Sequence, residues 1–328
     1  MSKNSLLRFC YLILLILFFF SIPLFVKDPY YLHVIIMMSL YIVLALGLRL
    51  ILISGHISIA HAGFMGIGAY TSALLVVKLG FSFWIAIFLS GLSSAIFAMV
   101  IGRLILKVTG IYFGIITMAM GEILRLVWTR WKDLFGGATG ILNIPPPNPI
   151  HIPGIVQIEF TSKVHYYYLA LTIVLLTIYI MHRIDKSRFG MTLFALNNKE
   201  LLAESMGVNT MLYKNIAFGI ACFFAGVAGS FYAHYFYYIC PYDFTFSQSL
   251  EIILYTVFGG VRSIAGPIIG ASFLTVLMEA SHLAEEYRPM IFGLALIIVM
   301  IFMPGGLIDL GQRLKDIKKV LLGERTKG

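Results

Sequence analysis

The side chains in this sequence that could do chemistry are few and scattered. Eight histidines occur, at His33, His56, His61, His151, His165, His182, His234 and His282. Only His56 and His61 lie close together, and a spacing of five sets them on different faces of a helix, a poor start for a shared metal. No His is followed by Glu, so the zinc-peptidase helix motif is absent. No Gly-x-Ser-x-Gly elbow presents a nucleophilic serine. No Gly-Lys dipeptide occurs, which excludes a Walker A loop to cradle nucleotide phosphates. Cys10, Cys222 and Cys240 form no C-x-x-C pair and read as small hydrophobes. One acid–base pair stands out: Glu122 and Arg125 are three apart, share a helical face and can pair. Glu251 and Glu279 read as lying near segment ends, and Asp243 as part of the loop Cys240-Pro241-Tyr242-Asp243.

The elements that must position these groups follow from composition. Of 328 residues, 60% are hydrophobic and 12% charged, and the mean hydropathy is +0.93. A soluble domain carries roughly 25% charged residues. These values exclude a soluble globular enzyme, a disordered chain and a secreted disulfide scaffold, and make lipid the solvent. Apolar runs are continuous rather than alternating, which predicts helices and not a barrel. About 20 apolar residues cross the hydrocarbon core. Runs that meet or approach this are 9–26, 30–48, 50–77, 79–102, 108–128, 164–182, 215–242, 251–261 (beginning near Phe246), 263–278 and 289–308. The reading is an all-α integral membrane protein of about ten transmembrane helices, some short or glycine-broken. The first run is longer than a signal-peptide core and lacks a small-residue cleavage site, so it is read as a retained span.

The net charge of +9 reports topology rather than nucleic-acid binding. With the N-terminus inside and spans alternating, 16 basic residues fall in inner loops and tails and 6 in outer loops. Both termini are then cytoplasmic. Residues 1–312 form one transmembrane domain, and 313–328 a basic cytoplasmic tail. The inner segment 183–214 is long and polar for so apolar a chain. A short helix is expected within it, with Asn198 as cap, Glu200 in the first turn and Gly207 closing it. Leu201, Leu202 and Met206 give that helix an apolar face suited to a partner's groove or to the membrane surface.

Small residues recur every four positions at Ser58, Ala62, Gly66, at Ala221, Ala225, Gly229, Ala233, and at Gly266, Gly270. Such faces let helices pack closely, and glycine-broken helices can also line a path through the membrane. Two segments repeat: Gly55-x-x-Ser58-Ile59-Ala60 matches Gly260-x-x-Ser263-Ile264-Ala265, as in a transporter built from related halves. Glu122 and Arg125 lie at membrane depth, where charges are costly and mark either a functional site or an orienting ion pair.

The segment from Ser54 to Tyr70, SGHISIAHAGFMGIGAY, resembles the signature of the branched-chain amino acid ABC transporter permeases of the LivM type. So does the segment from Gly110 to Arg125, GIYFGIITMAMGEILR. Ala195, Ala203, Glu204 and Gly207 match the family's ATPase-contacting loop. Further matches are Phe244-Thr245-Phe246, Gly259-Gly260, Gly266-Pro267-Ile268-Ile269-Gly270-Ala271 and Pro304-Gly305-Gly306-Leu307. The likeness spans roughly residues 30–310. His56 stands where the family usually has Gln, Ile59-Ala60 replaces the common Leu-Gly, and Gly121 precedes Glu122 where Ala is usual.

The resemblance implies a non-enzymatic permease subunit in a bacterial inner membrane. It would translocate leucine, isoleucine and valine by alternating access. Its expected partners are a homologous second permease, two cytoplasmic ATPases and an extracytoplasmic binding protein, with lipid around it and no nucleic acid. No cofactor is expected in this chain; ATP and Mg would bind to the ATPases. Ser58, His61, Gly63, Gly66, Tyr70, Thr117 and Glu122 are the candidate substrate pathway. The alternatives are the same transporter class carrying urea or short amides, and an ion-coupled transporter with Glu122 as proton carrier. A membrane-embedded enzyme is disfavoured by the missing catalytic cluster.

Overall fold

The computed structural model describes residues 19–26, 28–152, 156–280, 290, 293, 294, 297, 306 and 307. Most of the first and last apolar runs, the start of the chain and the basic tail therefore lie outside the described residues; of the first run, 19–25 are helical. Cys10, His282 and Pro304 are likewise outside them.

Helix α1, Pro29–Leu52, starts where Asp28 accepts the Tyr30 N–H and Pro29 occupies the first turn, whose amide has no helical partner anyway. The chain then breaks at Gly55, with φ +88°, and resumes as α2, His61–Val77. The continuous run 50–77 is thus not one span: its first residues complete α1, and an eight-residue break precedes a 17-residue helix. Helices α3, Phe83–Ile105, and α4, Ile111–Arg130, follow. The proline-rich connection holds a short helix α5, Lys132–Phe135, a 3₁₀ turn, Gly137–Thr139, and strands β1, Ile141–Leu142, β2, Ile150–Ile152, and β3, Val156–Ile158.

Helix α6, Lys163–Asp185, leads into α7, Arg188–Asn198, and α8, Glu200–Ser205. The longest helix, α9, Thr210–Phe236, is capped by Asn209. Strand β4, Tyr238–Ile239, pairs antiparallel with β1, Ile141 opposite Ile239. A 3₁₀ turn, Pro241–Phe244, leads to α10, Phe246–Gly259, and α11, Ala265–Ala280.

Helices α1, α3, α4, α6 and α9 are long and apolar enough to cross a membrane, and α2 and α11 are shorter apolar helices. Among the described residues the fold is all-α apart from two antiparallel strand pairs, β1 with β4 and β2 with β3. Helix α9 packs along α3, α2 and α1. The approach of α9 to α2 is set by glycine: a Cβ at Gly229 would lie 1.9 Å from the Met65 carbonyl oxygen, and one at Gly68 would lie 2.2 Å from that of Gly226. Side chains there would push the helices apart.

The two repeated segments behave alike. Gly55 and Gly260 both take positive φ, +88° and +103°, where only glycine is at ease. Helices α2 and α11 each begin directly at or after the matched Ile-Ala.

Candidate functional site

The expected pathway residues come mostly to one seam between α2 and α4. Two glycines allow it: a Cβ at Gly63 would meet Leu124 Cδ1 at 3.3 Å, and one at Gly66 would sit 2.3 Å from the Trp128 ring. Tyr70 lies beyond Gly66 on the same side, stacked on Trp128 with ring centroids 4.9 Å apart. Phe244, from the turn before α10, closes the cluster against Trp128 at 5.7 Å. Thr117 is fully buried; its Oγ1 accepts the Ile59 N–H at 3.0 Å and donates to the Gly114 carbonyl at 2.9 Å. One threonine thereby fixes the broken segment before α2 onto α4.

Ser58 is also fully buried, and its hydroxyl has no partner. His61 is placed differently. It opens α2 and faces α1, with its Nε2 3.3 Å from where a Cβ on Gly47 would stand. Glu122 lies on the open side of α4 and pairs with Arg125, whose guanidinium also sits 5.7 Å over the Tyr242 ring. A narrow cleft lined by Gly63, Gly121, Glu122, Thr245 and Ser249 marks the open edge of the seam.

The 183–214 segment forms two helices rather than one. Ser187 caps α7 by accepting the Gly190 N–H. Asn198 is not the cap of α8: it ends α7, and its side-chain amide donates back to the Phe194 carbonyl at 3.0 Å. Lys199 takes the cap position without a side-chain bond. Gly207 closes α8 as its residue type suggests, with φ +82° and its N–H on the Glu204 carbonyl. Ala203 is buried, while Ala195, Glu204 and Gly207 are exposed. Leu201, Leu202 and Met206 are exposed by 79%, 58% and 78%, an apolar face that the described residues leave uncovered. Helix α8 is moored to α9: Lys214 pairs with Glu200, and the Thr210 hydroxyl donates to Glu204 at 2.8 Å.

Three features escaped the sequence reading. Arg49 is fully buried and binds Asp185 through both terminal nitrogens, at 3.0 and 2.8 Å. From sequence it merely ended an apolar run. His234 joins a buried chain of polar groups. Its Nδ1 lies 2.6 Å from the Pro145 carbonyl, which can only accept, so Nδ1 carries the proton and Nε2 accepts from Ser72 at 2.9 Å. Ser230 donates to Ser72 at 2.8 Å. The third feature is a cavity of about 370 Å³ between α1, α10 and α11, lined by Tyr30, His33, Glu251, Thr275 and Glu279 among others. Among the described residues, no group of three or more His, Cys, Asp or Glu could hold a metal ion.

At the far end from α7 and α8, Asp243 Oδ2 accepts the Cys240 N–H at 2.8 Å. Burial holds the Asp243 carboxyl above the ordinary aspartate range, partly offset by that bond.

The family described as "Branched-chain amino acid transport system / permease component" matches residues 30–300. The chain belongs to this permease family. Among relatives, it is 30% identical over 292 residues to the high-affinity branched-chain amino acid transport system permease protein LivM of Salmonella typhimurium, covering 84% of this chain and 69% of that one. It is 29% identical over 140 residues to LivH of the corresponding Escherichia coli system, 42% and 44% of the two chains. The guanosine ABC transporter permease NupQ of Bacillus subtilis is 26% identical over 194 residues, 55% and 59% of the two chains. No solved structure matches the chain. As a member of this permease family with several membrane-length apolar helices, it is a multi-pass membrane protein.

Proposed function

We propose that this chain is one permease subunit of an ATP-driven importer for leucine, isoleucine and valine in a bacterial inner membrane. The observation that carries the reading is the exposed apolar face of α8, placed by a family-matched segment and moored to α9 by Glu200–Lys214 and Glu204–Thr210. A cytoplasmic ATPase docks there, and two such subunits bind ATP and Mg outside this chain. Ala195, Ala203, Glu204 and Gly207 shape the contact. The 16-to-6 division of basic residues supports ten spans with both termini cytoplasmic, α7 and α8 included on that side.

A homologous second permease covers the open side of α4, and the substrate passes along the seam between them. Alternating access opens the seam where glycine permits helices to slide. Ser58, with its unpartnered buried hydroxyl, Thr117, and Gly63 and Gly66 form its wall. Tyr70 with Trp128 and Phe244 closes it on one side, and Glu122 meets the substrate at its edge. His61, at the start of α2, borders α1. A binding protein delivers the solute from outside and sets much of the selectivity.

The likeness to nucleoside permeases favours one second reading, a nucleoside as cargo. Uptake in proteoliposomes holding the four-subunit transporter, with binding protein and ATP inside, separates the two. Labelled leucine is expected to accumulate and guanosine not to. Leu201→Glu, at a position 79% exposed, is expected to cut leucine uptake about tenfold or more without loss of inserted protein. Normal uptake with Leu201→Glu would remove the docking role of α8.

A further inference from the structure

The pair of buried Arg49 and partly buried Asp185 has no part in docking or in the seam, yet it ties together segments that the sequence keeps far apart. Arg49 lies in the last turn of α1 and is fully buried. Asp185, which accepts from both its terminal nitrogens, is the last residue of α6 and leads directly into α7. Arg49 Nε donates to the Val261 carbonyl at 2.8 Å, in the turn that follows the Gly260 break. Its guanidinium lies 6.0 Å from the Phe194 ring of α7. The Gly55 break is also against α7: a Cβ there would lie 3.5 Å from Asn197 Oδ1.

An unpaired guanidinium in such a place is costly, so its partners are held firmly. A planar fork that grips a carboxylate with two nitrogens and a carbonyl with a third fixes direction as well as distance. An ammonium on a flexible stem cannot reproduce that grip. The polar moorings of α8 among the described residues, Glu200–Lys214 and Glu204–Thr210, lead instead to α9. A displacement of α7 is therefore carried by this side chain directly to the end of α1 and to the turn after Gly260, beside the broader packing of α6 and α9 on α1.

We propose that Arg49 is a positioning residue that transmits movement of α7 and α8 to the glycine breaks at Gly55 and Gly260. This rests on the reading that α8 docks an ATPase. The test uses the complete transporter in proteoliposomes, with ATP hydrolysis and leucine uptake measured on the same vesicles. Arg49→Lys is expected to assemble and hydrolyse ATP at close to the wild-type rate while moving about tenfold less leucine per ATP. Asp185→Asn, which keeps the shape and one acceptor at a position 18% exposed, is expected to show a smaller loss of the same ratio.

An unchanged ratio in both variants overturns the proposal. So does a parallel fall of hydrolysis and uptake, or failure of both variants to assemble, since either result makes the pair a structural fastening alone. Failure of the docking reading looks different: leucine uptake by the Leu201→Glu complex would then match the wild type.

Discussion

Helices α9 and α4 are both long and apolar enough to cross a membrane, yet they meet opposite surroundings. The most apolar stretch of α9 is 72% buried within the chain, that of α4 only 28%. Ala221, Ala225 and Ala233 on α9 are fully buried on one face, and Gly229 between them touches the backbone of α2. Its polar residues Ser230 and His234 are hydrogen-bonded. On α4 the open side carries Ile111, Ile115, Met118 and Leu126, together with the Glu122–Arg125 pair. Apolar content decides that a helix enters lipid. Side-chain size along each face decides whether it meets its own chain closely or leaves a surface for something else.

One added methyl group on each helix tells the two surroundings apart most clearly. In Gly229→Ala the new Cβ would stand 1.9 Å from the Met65 oxygen, a backbone atom that cannot move without shifting α2. Thermal unfolding in detergent is expected to show a loss of about 3 kcal/mol or more. In Gly121→Ala, on α4, the Cβ would meet Ala60 Cα at an ordinary 3.6 Å. Relief of glycine's backbone freedom then makes the change neutral or stabilising by up to about 1 kcal/mol. Equal losses in the two variants would show that α4 is packed as tightly as α9.

Next in size is the polar interior of α9. Ser72→Ala removes the donor to His234 Nε2 and the acceptor of Ser230, leaving both buried groups unpaired. The expected cost is about 1–3 kcal/mol in the same unfolding measurement. Glu122→Gln on α4 tests the opposite case. An ion pair this exposed contributes about 0–1 kcal/mol, so stability should hold while leucine uptake falls. A stability loss in Glu122→Gln as large as that in Ser72→Ala would erase the distinction between the helices.

The sequence reveals the apolar runs, the glycine breaks and the repeated Gly-x-x-Ser-Ile-Ala segments because each depends on residue type over short range. The break inside 50–77 is harder to place, since no charge or proline interrupts the stretch from Ile51 to Ile59 and only Gly55 marks the turn. The seam residues could be gathered from the family's motifs: all seven fall along α2 and α4 or the segment that Thr117 fastens, although His61 faces α1 and Glu122 the open side of α4. Arg49 and Asp185 were opaque for a physical reason. Arg49 ends an apolar run and Asp185 sits at the start of the polar inner segment, each like any interfacial charge, and 136 positions separate them. His234 was equally silent: its partners come from α2 and from Pro145 in a loop with no periodicity.

The smallest expected effect lies where the two helices come closest to sharing a support, the turn Pro241–Phe244. Phe244 packs on Trp128 of α4, while the turn hangs from the end of α9 through β4. Burial raises the Asp243 carboxyl above the ordinary aspartate value, so the closed turn holds a proton more tightly than an opened one. Closure is therefore most stable below the ordinary aspartate value. It weakens as pH climbs from there through the raised value, and is level above it. Hydrogen exchange of the 237–246 backbone, corrected for intrinsic rates, should show faster opening across that window. Asp243→Asn keeps an oxygen to accept the Cys240 N–H and loses the charge, so its profile should be flat. If the two profiles coincide, the turn does not sense the ionisation of Asp243, and the tie between α9 and α4 rests on Phe244 and Trp128 alone.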